Sequence, residues 1–396
     1  KWGNFPAFGL GWVISEENFL KDNSFVNFLK LRGGWGRLGN QNVPLNILPF
    51  ATGDVYNYAF GGVTSASGNT IDQIYDPNLS WEITEESTIG LDYELLNRRL
   101  KGSVDLYNRV TKNIILASVP LITSGISNNG YAHLGEVTNK GFELGLNFKL
   151  IQTENFTFEI PTNIAYTHAK VTDLKDVEKI SAGGSLPTGT NVNIAEHAVG
   201  FQPYSFWVFQ QLYNENGEAI PGAFVDRNAD GVITNDDRYY KAVIPNWTFG
   251  FGINFTYKKW DFSSSFRGQF GGQIYNARKL TSGWANRAIP TNSSSLSNVL
   301  DFYNGEADIQ FQNYNGNATF SDYFLEDATF LRCENIVIGY RFNKFYKNST
   351  MRVYGAVNNP FILTKYTGQD PENFGAIDNN FYPRPTSFTF GLNFDF

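Results

Sequence analysis

An alternation of large apolar residues with small or polar residues, repeated in segment after segment, constrains the fold more than any other feature. In the last stretch of the chain, Phe388, Phe390, Leu392, Phe394 and Phe396 alternate with Ser, Thr, Gly, Asn and Asp. A period of two places successive side chains on opposite faces of a strand. Each alternating segment has about the length, 9–11 residues, that a tilted strand needs to cross a bilayer. The pattern predicts membrane-spanning strands.

The same alternation recurs along the chain. Aromatic residues make up 16% of the sequence, and they gather near the ends of the segments, as the aromatic belts of a membrane barrel require. The mean hydropathy of −0.30 is compatible with such a barrel, because every second residue of its strands faces a polar interior. The other alternating segments are 89–95, 142–150, 156–166, 247–257, 260–270, 336–342 and 351–357.

The connections between these segments alternate between short and long. Short turns are predicted at 97–99, 151–155, 258–259 and 344–350, and long loops at 41–80, 116–135, 170–245, 272–328 and 360–385. Outer-membrane barrels have short periplasmic turns and long extracellular loops. A soluble β-sandwich is the alternative, but its connections have no reason to alternate in length. The fold class predicted is all-β, a transmembrane antiparallel β-barrel.

Eleven spanning strands are predicted. They are expected near 6–15, 29–39, 82–95, 100–113, 140–150, 156–168, 246–257, 260–271, 330–342, 351–358 and 387–396. Bacterial single-chain barrels have an even number of strands, and hydrocarbon does not tolerate bare sheet edges. We therefore expect residues 1–396 to be the C-terminal part of one barrel domain, with Lys1 outside and the remaining strands contributed by residues absent from this sequence.

Several function classes are disfavoured by composition. The sequence has no apolar run of 18 residues, the length expected of a transmembrane helix, and no signal peptide. One cysteine excludes an internal disulfide framework, and a net charge of −7 argues against a nucleic-acid surface. His133, His168 and His197 fall in or beside predicted extracellular loops, without ligand or nucleophile motifs around them. We expect solvated histidines and no enzyme activity.

The segment DRNADGVITNDD, residues 226–237, has the spacing of an EF-hand calcium loop, with glycine at its sixth position. The candidate Ca²⁺ ligands are Asp226, Asn228, Asp230, the carbonyl of Val232, Thr234 and Asp237. Asp at the twelfth position reaches less far than the usual Glu. The alternative is a turn-rich loop whose Asp and Asn side chains bond their own backbone. No helix is predicted on either side, so we expect this calcium-type loop to stiffen a long extracellular segment that has little core.

Eight segments stand in one order along the chain: FPAFGLGW, LKLRGGWGRLGNQN, PNLSWEITEESTIGLDYELLNRRLKGSVDLYNRVTKNIIL, GEVTNKGFELGLNF, FVDRNADGVITNDDR, FLRCENIVIGYRF, MRVYGAVNNPFILTKYTGQDPE and YPRPTSFTFGLNFDF. Together they resemble the C-terminal half of SusC/RagA-type TonB-dependent outer-membrane transporters of Bacteroidetes. The resemblance implies a 22-stranded barrel, of which eleven strands would be half. It also implies an upstream plug and TonB box, a SusD-like lipoprotein lid, and energised import of oligosaccharides or peptides.

Two other functions stay open at this stage. One is a passive pore, or a scaffold barrel of a surface or secretion complex. The other is a secreted calcium-dependent carbohydrate-binding protein or adhesin rich in β-structure. Finding a plug and TonB box upstream would exclude the passive pore, and extraction only with detergent would exclude the secreted protein.

Individual positions carry further expectations. Cys333 is expected to be buried as a small hydrophobe, and Pro360 to end its strand by Asn359 because proline cannot donate to the ladder. Aromatic loop residues are candidates for stacking on substrate and equally for anchoring a partner protein. They are Trp284, Tyr303, Tyr314 and Phe374, with Phe311 and Tyr382 beside them. The polar residues expected to line the lumen and touch the plug are Asn147, Asn254, Asn393 and Asp395.

Overall fold

The structure is a computed structural model. It describes residues 2–21, 23–41, 51–60, 63–71, 73–75, 79–118, 128–175, 177–186, 193–282, 319–346, 349–379 and 382–395. None of the helices in these ranges has the length and hydropathy that spanning a bilayer requires.

Strands dominate the described residues. In chain order they are β1 (Ala7–Val13), β2 (Val26–Asn40), β3 (Ala51–Phe60), β4 (Val63–Ile71), β5 (Gln73–Tyr75), β6 (Glu82–Leu95), β7 (Leu100–Ser118), β8 (Asn128–Gln152), β9 (Phe156–Asp173), β10 (Lys179–Ser185), β11 (Asn193–Ala198), β12 (Ser205–Val208), β13 (Gln211–Tyr213), β14 (Ala219–Phe224), β15 (Tyr239–Lys241), β16 (Trp247–Tyr257), β17 (Trp260–Phe270), β18 (Gln273–Tyr275), β19 (Leu325–Asp327), β20 (Phe330–Tyr346), β21 (Ser349–Thr364) and β22 (Ser387–Asp395). One short helix, α1, spans Ala277–Ser282, and single 3-10 turns lie at Ile14–Glu16, Asn235–Asp237, Asp322–Phe324 and Phe374–Ala376.

Eleven of these strands form one continuous antiparallel sheet, here called the wall. Its order is β1-β2-β6-β7-β8-β9-β16-β17-β20-β21-β22, so each strand pairs with the wall strand that precedes or follows it in the chain. The eleven predicted strands are confirmed. β1 and β22 each have one neighbour, and short β5 pairs in parallel with β8 beside the main order.

Several wall strands continue well beyond the predicted segments. β8 has 25 residues, and its ladder with β7 runs past Gly135 to the pair Ser118–Gly130. The loop predicted at 116–135 is therefore largely strand. The lipid-facing alternation ends where the membrane ends, whereas backbone hydrogen bonds can extend a ladder into water, so the pattern underestimated these strands.

The periplasmic connections are short, as predicted. β6 and β7 are joined at residues 96–99, where Leu96, Asn97 and Arg98 have φ angles of 56°, 54° and 63°. β16 and β17 are joined by Lys258 and Lys259 alone. Short connections of this kind fix the register of each hairpin.

The wall has one apolar and one polar face. On the apolar face, Leu10 is 85% exposed and Phe390 is 86% exposed, as expected of side chains that lipid covers. The opposite face carries ion pairs, such as Arg32 with Asp92 and Asp105, whose N···O distances are 3.0 and 2.7 Å. The predicted lumen residues Asn147, Asn254 and Asn393 lie on this polar face, opposite Lys101, Glu159 and Arg352 in the ladders.

The predicted end of a strand at Asn359 is wrong, because β21 continues through Pro360 to Thr364. Cys333 pairs with Phe361 while Asn335 pairs with Asn358, so two residues of β21 face one of β20. Asn359 has a φ of 49° at this bulge. β22 pairs with β21 only as far as Asn358, and the proline therefore sits at a bulge on an edge, where its missing N–H costs no ladder bond.

The long connections on the extracellular side fold together into a structure here called the cap, comprising the described residues of 174–245, 271–282, 319–329 and 365–379. It contains a four-stranded sheet in the order β10-β11-β12-β15 and the pairs β13–β14 and β18–β19. Its buried cluster is Leu186, Ile194, Ala195, Phe206, Val208, Val243, Tyr275, Ala277, Leu280, Phe324 and Ile377. The expectation that this segment has little core is wrong, because its core is assembled from four chain segments that are distant in sequence.

Candidate functional site

The calcium-type loop lies in the cap, between β14 and β15. Its C-terminal part is a capping box around the turn Asn235–Asp237: the Thr234 hydroxyl accepts the N–H of Asp236, and the Asp237 carboxylate accepts the N–H of Thr234. Such reciprocal bonds satisfy the free donors at the start of a turn. The sequence therefore closes the loop locally, without flanking helices.

Asp237 is fully buried at the centre of this loop. Its oxygens accept the N–H groups of Thr234 at 2.8 Å, Arg227 at 2.8 Å and Asn228 at 3.4 Å. These backbone bonds, that of Thr234 foremost, lower the pKa of the Asp237 carboxyl, and Asp226 contributes a further side-chain interaction. Asp237 is thus an ionised carboxylate beside a second carboxyl group.

The N-terminal half of the loop is also held by its own backbone. The N–H of Gly231, at a φ of 84°, donates to Asp226 Oδ2 at 2.8 Å, and the N–H of Val232 donates to Asp230 Oδ1 at 2.8 Å. Asn228 donates its amide to Asp230 Oδ2 at 2.9 Å. These are the self-bonded turns that the sequence left as the alternative to a metal site.

One carboxylate oxygen of the loop has no hydrogen-bond donor and could therefore bind a cation. Asp226 Oδ1 is buried and makes no hydrogen bond, although an orphaned buried carboxylate oxygen is costly. Two carboxylates in close contact repel each other, and a cation between them would relieve that repulsion. Among the residues that the structure describes, however, no three His, Cys, Asp or Glu side chains are grouped closely enough to hold a metal ion as they stand.

Arg238 fastens the end of the loop to the cap. Its guanidinium carbon lies 4.7 Å from the ring centroid of Trp207, 4.7 Å from that of Phe209 and 3.9 Å from that of Phe320. Burial lowers the pKa of Arg238 to about 10. Cation–π contacts of this kind are strongest when the cation is desolvated. Arg238 therefore packs the end of the loop firmly against three aromatic rings of the cap.

The aromatic residues predicted to contact substrate are mostly outside the described residues. This applies to Trp284, Tyr303, Phe311 and Tyr314. Phe374 opens the turn Phe374–Ala376 in the cap, and its side chain is not described. Tyr382 is 83% exposed.

The expectation of three solvated histidines is wrong for two of them. His133 is buried: its Nδ1 lies 2.7 Å from the carbonyl oxygen of Asn113, and its Nε2 accepts the N–H of Ser80 at 2.8 Å. His197 lies within the cap, where burial lowers its pKa, and its Nδ1 accepts the N–H of Tyr204 at 3.2 Å. His168 is exposed. His133 and the partly buried His197 both bond backbone groups, which sequence spacing does not reveal.

Sequence reasoning also missed a charge network that joins the cap to the wall. Arg332 and Asp370 are paired at 2.8 Å with side chains only 3% and 5% exposed. Arg384 reaches Asp370 at 3.4 Å and Glu372 at 3.1 Å. Arg267 adds contacts to Glu334 and Glu372. Asp370 and Glu372 lie in the segment GQDPE, and their partners Arg267 on β17 and Arg332 on β20 become apparent only when the sheet is assembled.

The cap also closes onto the top of β9 through its backbone. β16 pairs with β9 only up to Tyr166, and beyond it Val171 exchanges N–H···O bonds of 2.8 and 2.9 Å with Phe201 and Gly200. The edge that β16 leaves free is therefore covered by the cap. The arrangement as a whole is a lipid-facing wall with a polar inner face, surmounted by a folded extracellular structure.

Comparison with known proteins gives concordant matches. The family described as TonB dependent receptor-like, beta-barrel matches residues 1–359. The TonB-dependent receptor SusC of Bacteroides thetaiotaomicron is 35% identical over 419 residues, which cover 100% of this chain and 40% of SusC. The TonB-dependent receptor P39 of Formosa agariphila is 28% identical over 453 residues, covering 100% of this chain and 43% of P39. The chain thus spans less than half the length of these relatives.

Solved structures agree on the fold. A structure of the RagAB peptide transporter superimposes with a TM-score of 0.75 at 24% identity, covering 98% of this chain and 43% of that one. The RagAB peptide importer in its open-open state gives a TM-score of 0.74 over 98% of this chain and 42% of that one, also at 24% identity. At this identity the likeness concerns the fold.

Proposed function

This chain belongs to the TonB-dependent receptor β-barrel family of the outer membrane, and from that premise we propose that it forms the C-terminal barrel wall and extracellular cap of an active importer. The observation that carries the proposal is the combination of a wall with a lipid-facing and a polar face with a cap that has its own core. A wall alone suits any barrel. A folded structure over its mouth suits capture of a ligand before transport.

The cargo in this proposal is an oligosaccharide or a peptide. SusC is the relative at 35% identity, and a peptide transporter shares the fold. Trp284, Tyr303, Tyr314 and Phe374 are the residues proposed to contact it, since aromatic faces serve both sugar stacking and peptide packing. TonB would supply energy through a plug upstream of this segment.

The partner in this proposal is a SusD-like lipoprotein that covers the cap. Apolar side chains exposed on the cap support a protein–protein contact there: Val232 is 60% exposed, and Tyr213 and Phe201, elsewhere in the cap, are also exposed. Exposed aromatic and aliphatic residues at a folded surface are typical of interface anchors.

Uptake by cells that carry the intact transporter tests this function. We expect a labelled oligosaccharide or peptide to accumulate in energised cells and to stop accumulating when the proton-motive force is dissipated or TonB is deleted. Uptake that continues unchanged after either treatment would favour a passive pore. Release of the protein from cells without detergent would instead favour the secreted β-protein.

We also propose that the calcium-type loop binds Ca²⁺ through Asp226, Asn228, Asp230, Val232, Thr234 and Asp237. The support is the unbonded Asp226 Oδ1 beside the ionised Asp237. Calcium would compete with the Val232 N–H and the Asn228 side-chain amide, which now donate to the Asp230 carboxylate, so the loop would adjust on binding.

Calorimetric titration of the intact transporter with Ca²⁺ tests the loop. We expect a binding heat that disappears in Asp230→Ala and persists in Asp236→Ala, whose backbone N–H bonds Thr234 while its side chain is exposed. The absence of any calcium-dependent heat, or equal heats in both variants, would leave the loop as a self-bonded turn.

A further inference from the structure

The lipid face of the wall carries an aromatic cluster on β8, β9 and β16, at the level of the extracellular end of β16. The ring centroid of Tyr166 lies 4.9 Å from that of Trp247 and 6.2 Å from that of Phe142, and Phe142 and Trp247 are 5.6 Å apart. Amphipathic rings on the lipid face mark the boundary between acyl chains and headgroups. The next residues outward on this face therefore lie at headgroup level.

Those next residues are basic. Lys140 stands two residues from Phe142 on β8, and His168 two residues from Tyr166 on β9, so both share the face of the aromatic cluster. Lys140 and His168 are also directly paired across the ladder, and Lys170 follows one step further out, opposite Thr138. Cross-strand neighbours have Cβ atoms about 5 Å apart, and next neighbours along a strand are about 7 Å apart.

These three residues are here called the basic triad. Lys140, His168 and Lys170 are exposed, and no ion pair or side-chain hydrogen bond involves them among the described residues. Elsewhere on the outward rim, Arg37 and Lys112 share Glu85 at 2.6 and 3.4 Å. Glu136, on the neighbouring part of β8, bonds the Thr172 hydroxyl at 3.0 Å.

We propose that the basic triad binds the phosphate headgroup of an outer-leaflet lipid. Two ammonium groups and an imidazole at headgroup level form a cradle for an anion, and the aromatic cluster directly below offers a surface for the acyl chains of the same molecule. This continuity with the lipid-facing surface favours a lipid phosphate over a soluble anion. The chain as a whole has a net charge of −7. A cluster of three basic side chains without ion-pair partners among the described residues is therefore unusual for its composition.

Reconstitution of the intact transporter into phosphatidylcholine nanodiscs tests the proposal. The probes are a diphosphorylated glycolipid and the same lipid after enzymatic dephosphorylation, and the readout is the number of retained glycolipids per protein by native mass spectrometry. We expect retention of the phosphorylated lipid alone. The double variant Lys140→Gln, Lys170→Gln should retain it roughly thirtyfold more weakly, since each cation at a membrane surface contributes about fivefold.

The matched control is Lys149→Gln, Lys175→Gln, which removes the same charge from the lumen face of β8 and from the cap. It should retain the lipid as the unmodified protein does, and heat-modifiable migration should show that both variants are folded. Equal retention by the two double variants, or equal retention of the dephosphorylated lipid, would overturn the proposal. Full displacement by inorganic phosphate at matched concentration would indicate a soluble-anion site and would overturn it as well. None of these readouts depends on transport.

Discussion

The wall and the cap are built from the same kinds of element but remove their apolar side chains from water in different ways. Both are antiparallel and rich in aromatic residues, yet the largest fully buried side chains, including Phe206, Phe209, Tyr275 and Phe324, lie in the cap. The wall leaves Leu10 and Phe390 almost wholly exposed on its outer face. The comparison shows that alternation specifies a strand and its faces, whereas the medium beside the strand determines what covers them.

Removing an aromatic ring from the cap and one from the wall should give the largest difference in stability between the two regions. Phe206→Ala empties a fully buried position in the cap and should cost about 3–5 kcal/mol of local stability, seen as faster hydrogen exchange of cap amides. Phe390→Ala on the wall is the matched control and should leave cap exchange unchanged, because its ring touches lipid. Equal effects of the two substitutions would mean that wall and cap unfold as one unit.

Substituting an acid of the charge network between cap and wall should lower stability almost as much. Asp370→Ala leaves Arg332 buried without its main partner, which should cost about 3–5 kcal/mol and release segment 365–379 to protease. Glu94→Ala removes the partner of Arg98, whose side chain is 70% exposed, and should cost less than about 1 kcal/mol. Unchanged proteolysis in Asp370→Ala would show that the cap is held by its apolar core alone.

A charge placed on either face of one wall strand sharpens the difference between lipid and lumen. Ile253 and Asn254 are neighbours on β16 that face opposite sides of the sheet. Ile253→Arg should lower the free energy of unfolding in lipid vesicles by about 2–4 kcal/mol, as charges near the bilayer midplane do. Asn254→Arg should cost distinctly less. A larger loss for Asn254→Arg would reverse the assignment of the two faces.

Acidification should loosen the cap before the wall, with the smallest effect of the four. Burial lowers the pKa of His197 below its ordinary value of 6.5, so the unfolded cap binds a proton more readily than the folded cap. The contribution of neutral His197 is present above pH 6.5 and is lost as the pH falls through the lower pKa of the folded state. Amide exchange in the cap should therefore accelerate on acidification.

His197→Gln serves as the control for this pH dependence. A glutamine carbonyl can accept the N–H of Tyr204 but does not titrate, so the acid-induced acceleration should shrink in the variant. An unchanged pH profile in His197→Gln would assign the effect to other groups.

The strands of the wall could be predicted almost completely from the sequence, because lipid on one face imposes a two-residue period of apolar side chains. Sequence reasoning missed the outer part of β8 and the bulge at Pro360, where water replaces lipid and either face can be polar. The cap core escaped because β12 and β15 have only 4 and 3 residues. Phe206, Tyr275 and Phe324 meet from distant parts of the chain. The calcium-type loop was located by spacing, and its cation stays a prediction.

The unequal lengths of the wall strands have a mechanical consequence. β8 has 25 residues, whereas β16 and β17 have 11 each. On the β8 side, the mouth of the barrel is thus bordered by a long and stiff ladder of hydrogen bonds. On the β16–β17 side the wall is shorter. Among the described residues, the cap is held there by side-chain packing, a few backbone bonds and one charge network. A load applied at the mouth would deform the β16–β17 side first, since yielding there breaks no ladder between wall strands.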